Sequence, residues 1–73
     1  MAAVDVEVAG PVTLGEFVKY CGAAATGGQA KRLVQGGAVR VNGRVETRRG
    51  HRLAPGDVVA VGGREYRVCT SSP

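Results

Sequence analysis

A chain of 73 residues with a formal charge of +4 has room for one small domain with a thin core, and its 44% apolar content is too high for a wholly disordered chain. The charge is concentrated: between residues 31 and 52 the cations Lys31, Arg32, Arg40, Arg44, Arg48, Arg49 and Arg52 face a single acid, Glu46, while Asp5, Glu7, Glu16, Asp57 and Glu65 lie outside that stretch. A local basic patch on an otherwise balanced domain favours a polyanionic partner, either nucleic acid or an anionic membrane surface.

Residues 4–9, VDVEVA, alternate strictly and read either as an edge strand or as a loose tail, stopped by Gly10 and Pro11. Leu14, Phe17, Val18 and Cys21 then recur at the spacing that puts one apolar stripe on a helix, and Gly22 supplies its stop. Thr13 stands as the N-cap with Glu16 three residues on, a capping box in which each side chain satisfies a free backbone amide of the other. Thr26 and Gln29 repeat that pattern ahead of a second helix, whose buried stripe is Ala30, Leu33 and Val34 and which Gly36 and Gly37 close. Lys31, Arg32 and Gln35 point away from the stripe, where most helical cations simply solvate a surface.

The next segment, AVRVNGRVET, reads as a hairpin, with Asn42-Gly43 supplying residues that tolerate positive φ. A two-residue loop would split the apolar set by putting Val45 on the face opposite Val39 and Val41. A three-residue loop ending on Gly43 keeps the set together, with Val39 across from Val45 and Arg40 across from Arg44, and this is the register expected. Two arginines side by side on one face repel each other and suit a place where an anion sits between them. Thr47 to Arg52 holds no hydrophobic residue and four that can carry positive charge, the composition of an exposed loop facing phosphates. Beyond it, LAPGD is a turn, VVAV a short strand, Gly62-Gly63 a second hairpin turn, EYRV the last strand and TSSP a frayed tail.

No constellation for catalysis emerges. His51 has no nucleophile or carboxylate at relay spacing, Cys21 and Cys69 have neither such a partner nor metal-ligand spacing, and the glycine pairs lack the strand-to-helix context of a phosphate-binding loop. We expect no catalytic residue, no metal and no cofactor. No apolar run approaches the roughly 20 residues of a membrane span. The first residues lack the basic start of a signal peptide, so the expectation is a cytoplasmic protein.

Taken in order, TLGEFVK at 13–19, TGGQAKRLVQGGAVRVNG at 26–43 and LAPGDVVAV at 53–61 resemble the S4 RNA-binding domain, over roughly Thr13 to Val68. GQAK followed by VNGxVETRRG is most similar to the small stand-alone bacterial S4-like proteins of the YbcJ type. The resemblance implies an α+β S4-like (αL) domain at 13–69, two short helices packed on a small, mainly antiparallel sheet of hairpins. Residues 1–12 would be a tail or edge strand, and 70–73 a tail. It also implies binding of structured RNA, ribosomal or transfer RNA, with the ribosome or an assembly intermediate as the larger partner. The binding face would use Thr26, Gln29, Lys31 and Arg32 on the second helix, Arg40 and Asn42 on strand and turn, and Arg44, Arg48 and Arg49 beyond them. Many S4 domains carry arginine directly after the residue matching Thr26 and another before the first leucine, where this chain has Gly27 and Thr13.

The aromatic residues Phe17, Tyr20 and Tyr66 all lie outside the basic region. That disfavours stacking of single-stranded bases and suits recognition of folded RNA by shape and phosphate. The competing reading is an interaction module that docks an acidic protein. A membrane surface is a weaker partner, because the first helix offers only Lys19 and no spare apolar face. A monomer is expected.

Overall fold

The computed structural model describes residues 3–70. The alternating N-terminal segment forms β1 (Val4–Val8), which runs parallel to β7 (Arg64–Thr70), with Val4 opposite Tyr66 and Val8 opposite Thr70. Alternation sorts its side chains: Val6 and Val8 pack on the core, while Asp5 and Glu7 face water and Asp5 meets Arg67 at 3.1 Å. β7 pairs antiparallel with β6 (Val58–Val61) across the Gly62-Gly63 turn, β6 with β3 (Arg40–Val41), and β3 with β4 (Arg44–Val45). The sheet order is β1-β7-β6-β3-β4, and a separate pair joins β2 (Val12–Thr13) to β5 (Arg52–Leu53).

One face of the sheet carries Val8, Val41, Val59, Val61 and Val68, and over it close α1 (Leu14–Tyr20) and α2 (Gly27–Gln35) with Leu14, Phe17, Val18, Ala30 and Val34. Two helices on a mixed, mostly antiparallel sheet are the α+β S4-like arrangement that the resemblance implied. Phe17 is the largest side chain fully out of water, so truncating it to alanine would cost about 3 to 5 kcal/mol, a large share of what so thin a core supplies. Cys21 and Cys69 are free thiols, and burial pushes the Cys21 thiol up, which keeps it protonated. Among the described residues no helix is long and apolar enough to cross a membrane.

Both helix starts are set by neighbouring residues. At α1 the Thr13 hydroxyl accepts from the Glu16 amide at 3.4 Å and the Glu16 carboxylate accepts from the Thr13 amide at 2.9 Å, closing the capping box. At α2 the Thr26 hydroxyl accepts from the Gln29 amide at 3.1 Å, but the Gln29 side chain reaches one residue further back, to the Ala25 amide at 2.8 Å. Leu33 is only half-buried, on the flank of the stripe rather than its centre. Gly37, at φ +80, ends the helix: its amide donates to the Val34 carbonyl and that of Ala38 to the Leu33 carbonyl, the paired bonds of a left-handed glycine stop.

The first hairpin departs from the expected register. Arg40 pairs with Val45 and Val41 with Arg44 across a two-residue loop, in which Asn42 and Gly43 both take positive φ, +52 and +84. Arg40 and Arg44 therefore lie on opposite faces and form no side-by-side pair, and Val45 is left 52% exposed. A loop with both residues left-handed matches the twist of the strands it joins. Bonds from outside the hairpin then hold Asn42 in place: its amide donates to the Val58 carbonyl at 2.8 Å, and its side chain accepts from the Val58 amide and donates to Asp57, both at 3.0 Å. Keeping three valines together would require breaking those three bonds.

Candidate nucleic-acid interface

The basic segment after β4 is exposed, as expected, but it is not a free loop. The amides of Leu14 and Gly15, in the first turn of α1, donate to the carbonyls of His51 and Arg49 at 2.8 and 3.0 Å, so residues 49–51 form a strap across that helix start. The packing is close, since a Cβ at position 15 would touch the Cβ of Arg49 at 3.4 Å. The strap, α1 and α2 enclose a surface groove of about 410 Å³, lined by Gly15, Glu16, Lys19, Gly27, Ala30 and Arg49 among others. The amides of Gly27 and Gly28, in the first turn of α2, have no acceptor among the described residues, and a Cβ at Gly27 would meet nothing within 4 Å. An unobstructed helix start with free amides carries partial positive charge toward the solvent.

A second depression, of about 430 Å³, opens between the first hairpin and the turn before β6, with Val41 as its floor and Arg44, Glu46, His51, Arg52 and Asp57 around it. Arg52 also lines a notch with Thr13 and Glu16, two residues of the groove, so the two hollows join along one strip. Within that strip Lys19, Arg44, Arg49 and Arg52 have no carboxylate within 4 Å among the described residues, whereas its acids are engaged inside the molecule. Glu16 is held by the Thr13 amide and hydroxyl, which keep its carboxyl below the usual range. Asp57 takes the Ala54 amide at 2.8 Å and the Asn42 side chain. Glu46 takes Arg48, whose side-chain and backbone donors hold its carboxyl at about 2.

The residues singled out from the sequence are distributed unevenly over this strip. Arg49 and Arg44 lie on it. Lys31 stands one helical turn beyond Gly27, beside the groove, whereas Arg32 falls opposite the buried Ala30 and Val34 and faces away. Thr26 and Gln29 hold the α2 start, and Asn42 holds the hairpin, through side-chain bonds within the protein. Arg40 shares a row with Ala60 and Glu65 on the sheet face turned from the helices, and lines a different hollow near Gly62, Gly63 and Arg64. Arg48 is ion-paired with Glu46 at 3.0 Å. Lys19 and Arg52 are the additions. Lys19 follows Gly15 by one helical turn, a spacing visible in the sequence, while Arg52 joins the strip only because β5 pairs with β2.

The family model for the S4 domain matches residues 6–69, from within β1 to within β7. The probable ribosome maturation protein RlbA of Bacillus subtilis (strain 168) is 40% identical over 52 residues, which cover 71% of this chain and 73% of that protein. With the match extending over both helices and every strand from β2 to β6, the chain belongs to the S4 domain family.

Proposed function

We propose that this protein binds structured RNA as a monomeric, non-enzymatic module in the cytoplasm, and that its target is ribosomal RNA or a ribosome-assembly intermediate. The observation that carries the reading is the strip of cations without acidic partners, Lys19, Arg44, Arg49 and Arg52, beside the open first turn of α2. Cations and backbone amides recognise phosphate without needing exposed bases, which is how folded RNA is bound. The family supports RNA as the ligand, and the name of the Bacillus relative supports the ribosomal context. In this reading Lys19, Lys31, Arg44, Arg49 and Arg52 meet phosphates, while Thr26, Gln29 and Asn42 hold the helix start and hairpin that present them.

RNA crosslinked to the protein in its own cells and sequenced, alongside that from a Lys19→Ala/Arg49→Ala variant, tests the proposal. Enrichment of a few folded ribosomal sites, lost in the variant, is the expected result. The Arg49 carbonyl that covers Gly15 survives the substitution, so the melting temperature should barely change. A diffuse profile that follows RNA abundance and ignores the substitutions would point to an acidic protein as the partner and overturn the reading.

A further inference from the structure

Glu46 is the one acid within the basic segment, and its carboxylate gathers three donors of Arg48 with His51 alongside. Oε2 accepts from the Arg48 side-chain Nε at 3.0 Å and from the Arg48 backbone amide at 3.1 Å, while Oε1 faces Arg48 Nη2 at 3.4 Å and His51 Nδ1 at 3.6 Å. A guanidinium edge and a backbone amide converging on two oxygens, with an imidazole beside them, are also a set that can grip a phosphate. We propose that Arg48 and His51 form a latent phosphate site, which Glu46 fills as an internal stand-in until a backbone phosphate of bound RNA displaces it. The inference rests on the RNA-binding reading above.

Three features support displacement over a fixed structural bridge. The backbone that carries these donors does not depend on the carboxylate for its course, because the carbonyls of His51 and Arg49 are tied to α1, the His51 amide donates to the Arg48 carbonyl, and Arg52 continues into β5. Glu46 is anchored through its backbone, whose amide donates to Val39, so its side chain can swing out without moving the chain. The Arg48 side chain is 76% exposed while that of Glu46 is 17% exposed, so the pair is open to water on its guanidinium side, where a phosphate can compete for it. The carboxylate stays ionised at neutral pH, so exchange of anions, rather than protonation, opens the site. The site adjoins Arg44 and Arg52, placing it where RNA lying on the strip would pass. Its effect is selectivity: a polyanion that touches only this loop must expel Glu46 for little gain, whereas folded RNA that also fills the groove has the contacts to do so.

The decisive variant is Glu46→Gln, which keeps the size and an acceptor but removes the charge. Binding of a folded ribosomal RNA fragment and of inorganic polyphosphate is measured over a range of salt, with thermal melting alongside. Glu46→Gln should bind both about threefold to tenfold more tightly at about 0.1 M salt, with a salt slope steeper by roughly one. The gain should vanish in Glu46→Gln/Arg48→Ala. In the wild-type protein the Arg48 Nε–H resonance should shift when polyphosphate saturates, a reading that needs no variant to fold. Unchanged or weaker polyphosphate binding by a folded Glu46→Gln, or an Arg48 resonance that does not move, would overturn the inference. Should polyphosphate gain but the wild type show no preference for folded RNA, the RNA reading fails while the anion site stands.

Discussion

The starts of α1 and α2 share a threonine cap, Thr13 and Thr26, and a residue three positions on that reaches back to the backbone, yet they differ in what covers the turn that follows. At α1 the next two amides, of Leu14 and Gly15, are taken by His51 and Arg49 of the strap. At α2 the corresponding amides belong to Gly27 and Gly28 and have no acceptor among the described residues. The same local device thus yields a start closed by the protein and one left open beside it. The segment that closes the first brings Arg49 to the groove shared with the second. An unsatisfied helix start attracts anions, and two glycines leave the approach clear.

The difference breaks most sharply with Gly27→Asp. The new side chain would enter open space at the first position of α2, where a carboxylate favours the helix by about 0.3 to 1 kcal/mol and should raise the melting temperature by about 1 to 8 °C. The same charge would occupy the position proposed for a phosphate, so affinity for folded RNA should fall about tenfold. Melting and binding move in opposite directions, a combination that a merely structural glycine would not give. If affinity held while stability rose, the open start would not be a contact.

Removing the caps separates the two starts by stability. Thr13→Ala loses a hydroxyl that both accepts from the Glu16 amide and donates to the Glu16 carboxylate, and should cost about 1 to 2 kcal/mol; Thr26→Ala loses a hydroxyl that only accepts from the Gln29 amide, and should cost about 1 kcal/mol. Urea midpoints of the two variants against the wild type measure the gap, and equal losses would deny that the closed start is the more tightly built.

What could be seen in the chain beforehand follows the reach of each interaction. Both caps were legible because donor and acceptor lie three or four residues apart. The hairpin register was not, because Asn42 is held by Asp57 and Val58, whose positions depend on the turn at Pro55-Gly56 and on β6 pairing with β3. The parallel match of β1 to β7 joins opposite ends of the chain and leaves no local pattern beyond alternation. Of the site, Arg49 and Arg44 were visible as cations in a basic stretch, whereas Lys19, alone on the first helix, was not among the expected contacts. The neutralisation of Arg48 depends on the chain turning at Arg48–His51 to fold three donors around Glu46, a shape that composition does not encode.

Acid titration probes the strap through the same contacts. Glu46, at about 2, and Glu16, also lowered, both hold their protons less tightly in the folded chain than at the ordinary 4.5. Their contribution to stability is therefore complete above about pH 4.5 and drains away as pH falls below it, toward about 2 for Glu46, with no slope from either group near neutrality. Melting temperature followed from about pH 7 to about pH 2 should show that decline, and Glu46→Gln should make it shallower. An identical acid limb in the variant would mean that the Arg48 pair adds nothing to the strap.

The smallest effect should come from Arg40→Ala, and its smallness is informative. A three-residue loop would have set Arg40 beside Arg44; the two-residue loop puts them on opposite faces, with Arg44 at the strip and Arg40 beside Ala60 and Glu65. Screening at about 0.15 M salt confines a charge's influence to about 8 Å, so loss of Arg40 should change RNA affinity by less than about twofold. Arg44→Ala should weaken it severalfold and reduce the salt slope by about one. Neither substitution removes a hydrogen bond or ion pair within the described residues, so the contrast in affinity reports which face meets RNA. Equal losses would mean that RNA wraps the hairpin and reaches the sheet's outer face as well, enlarging the contact beyond the strip.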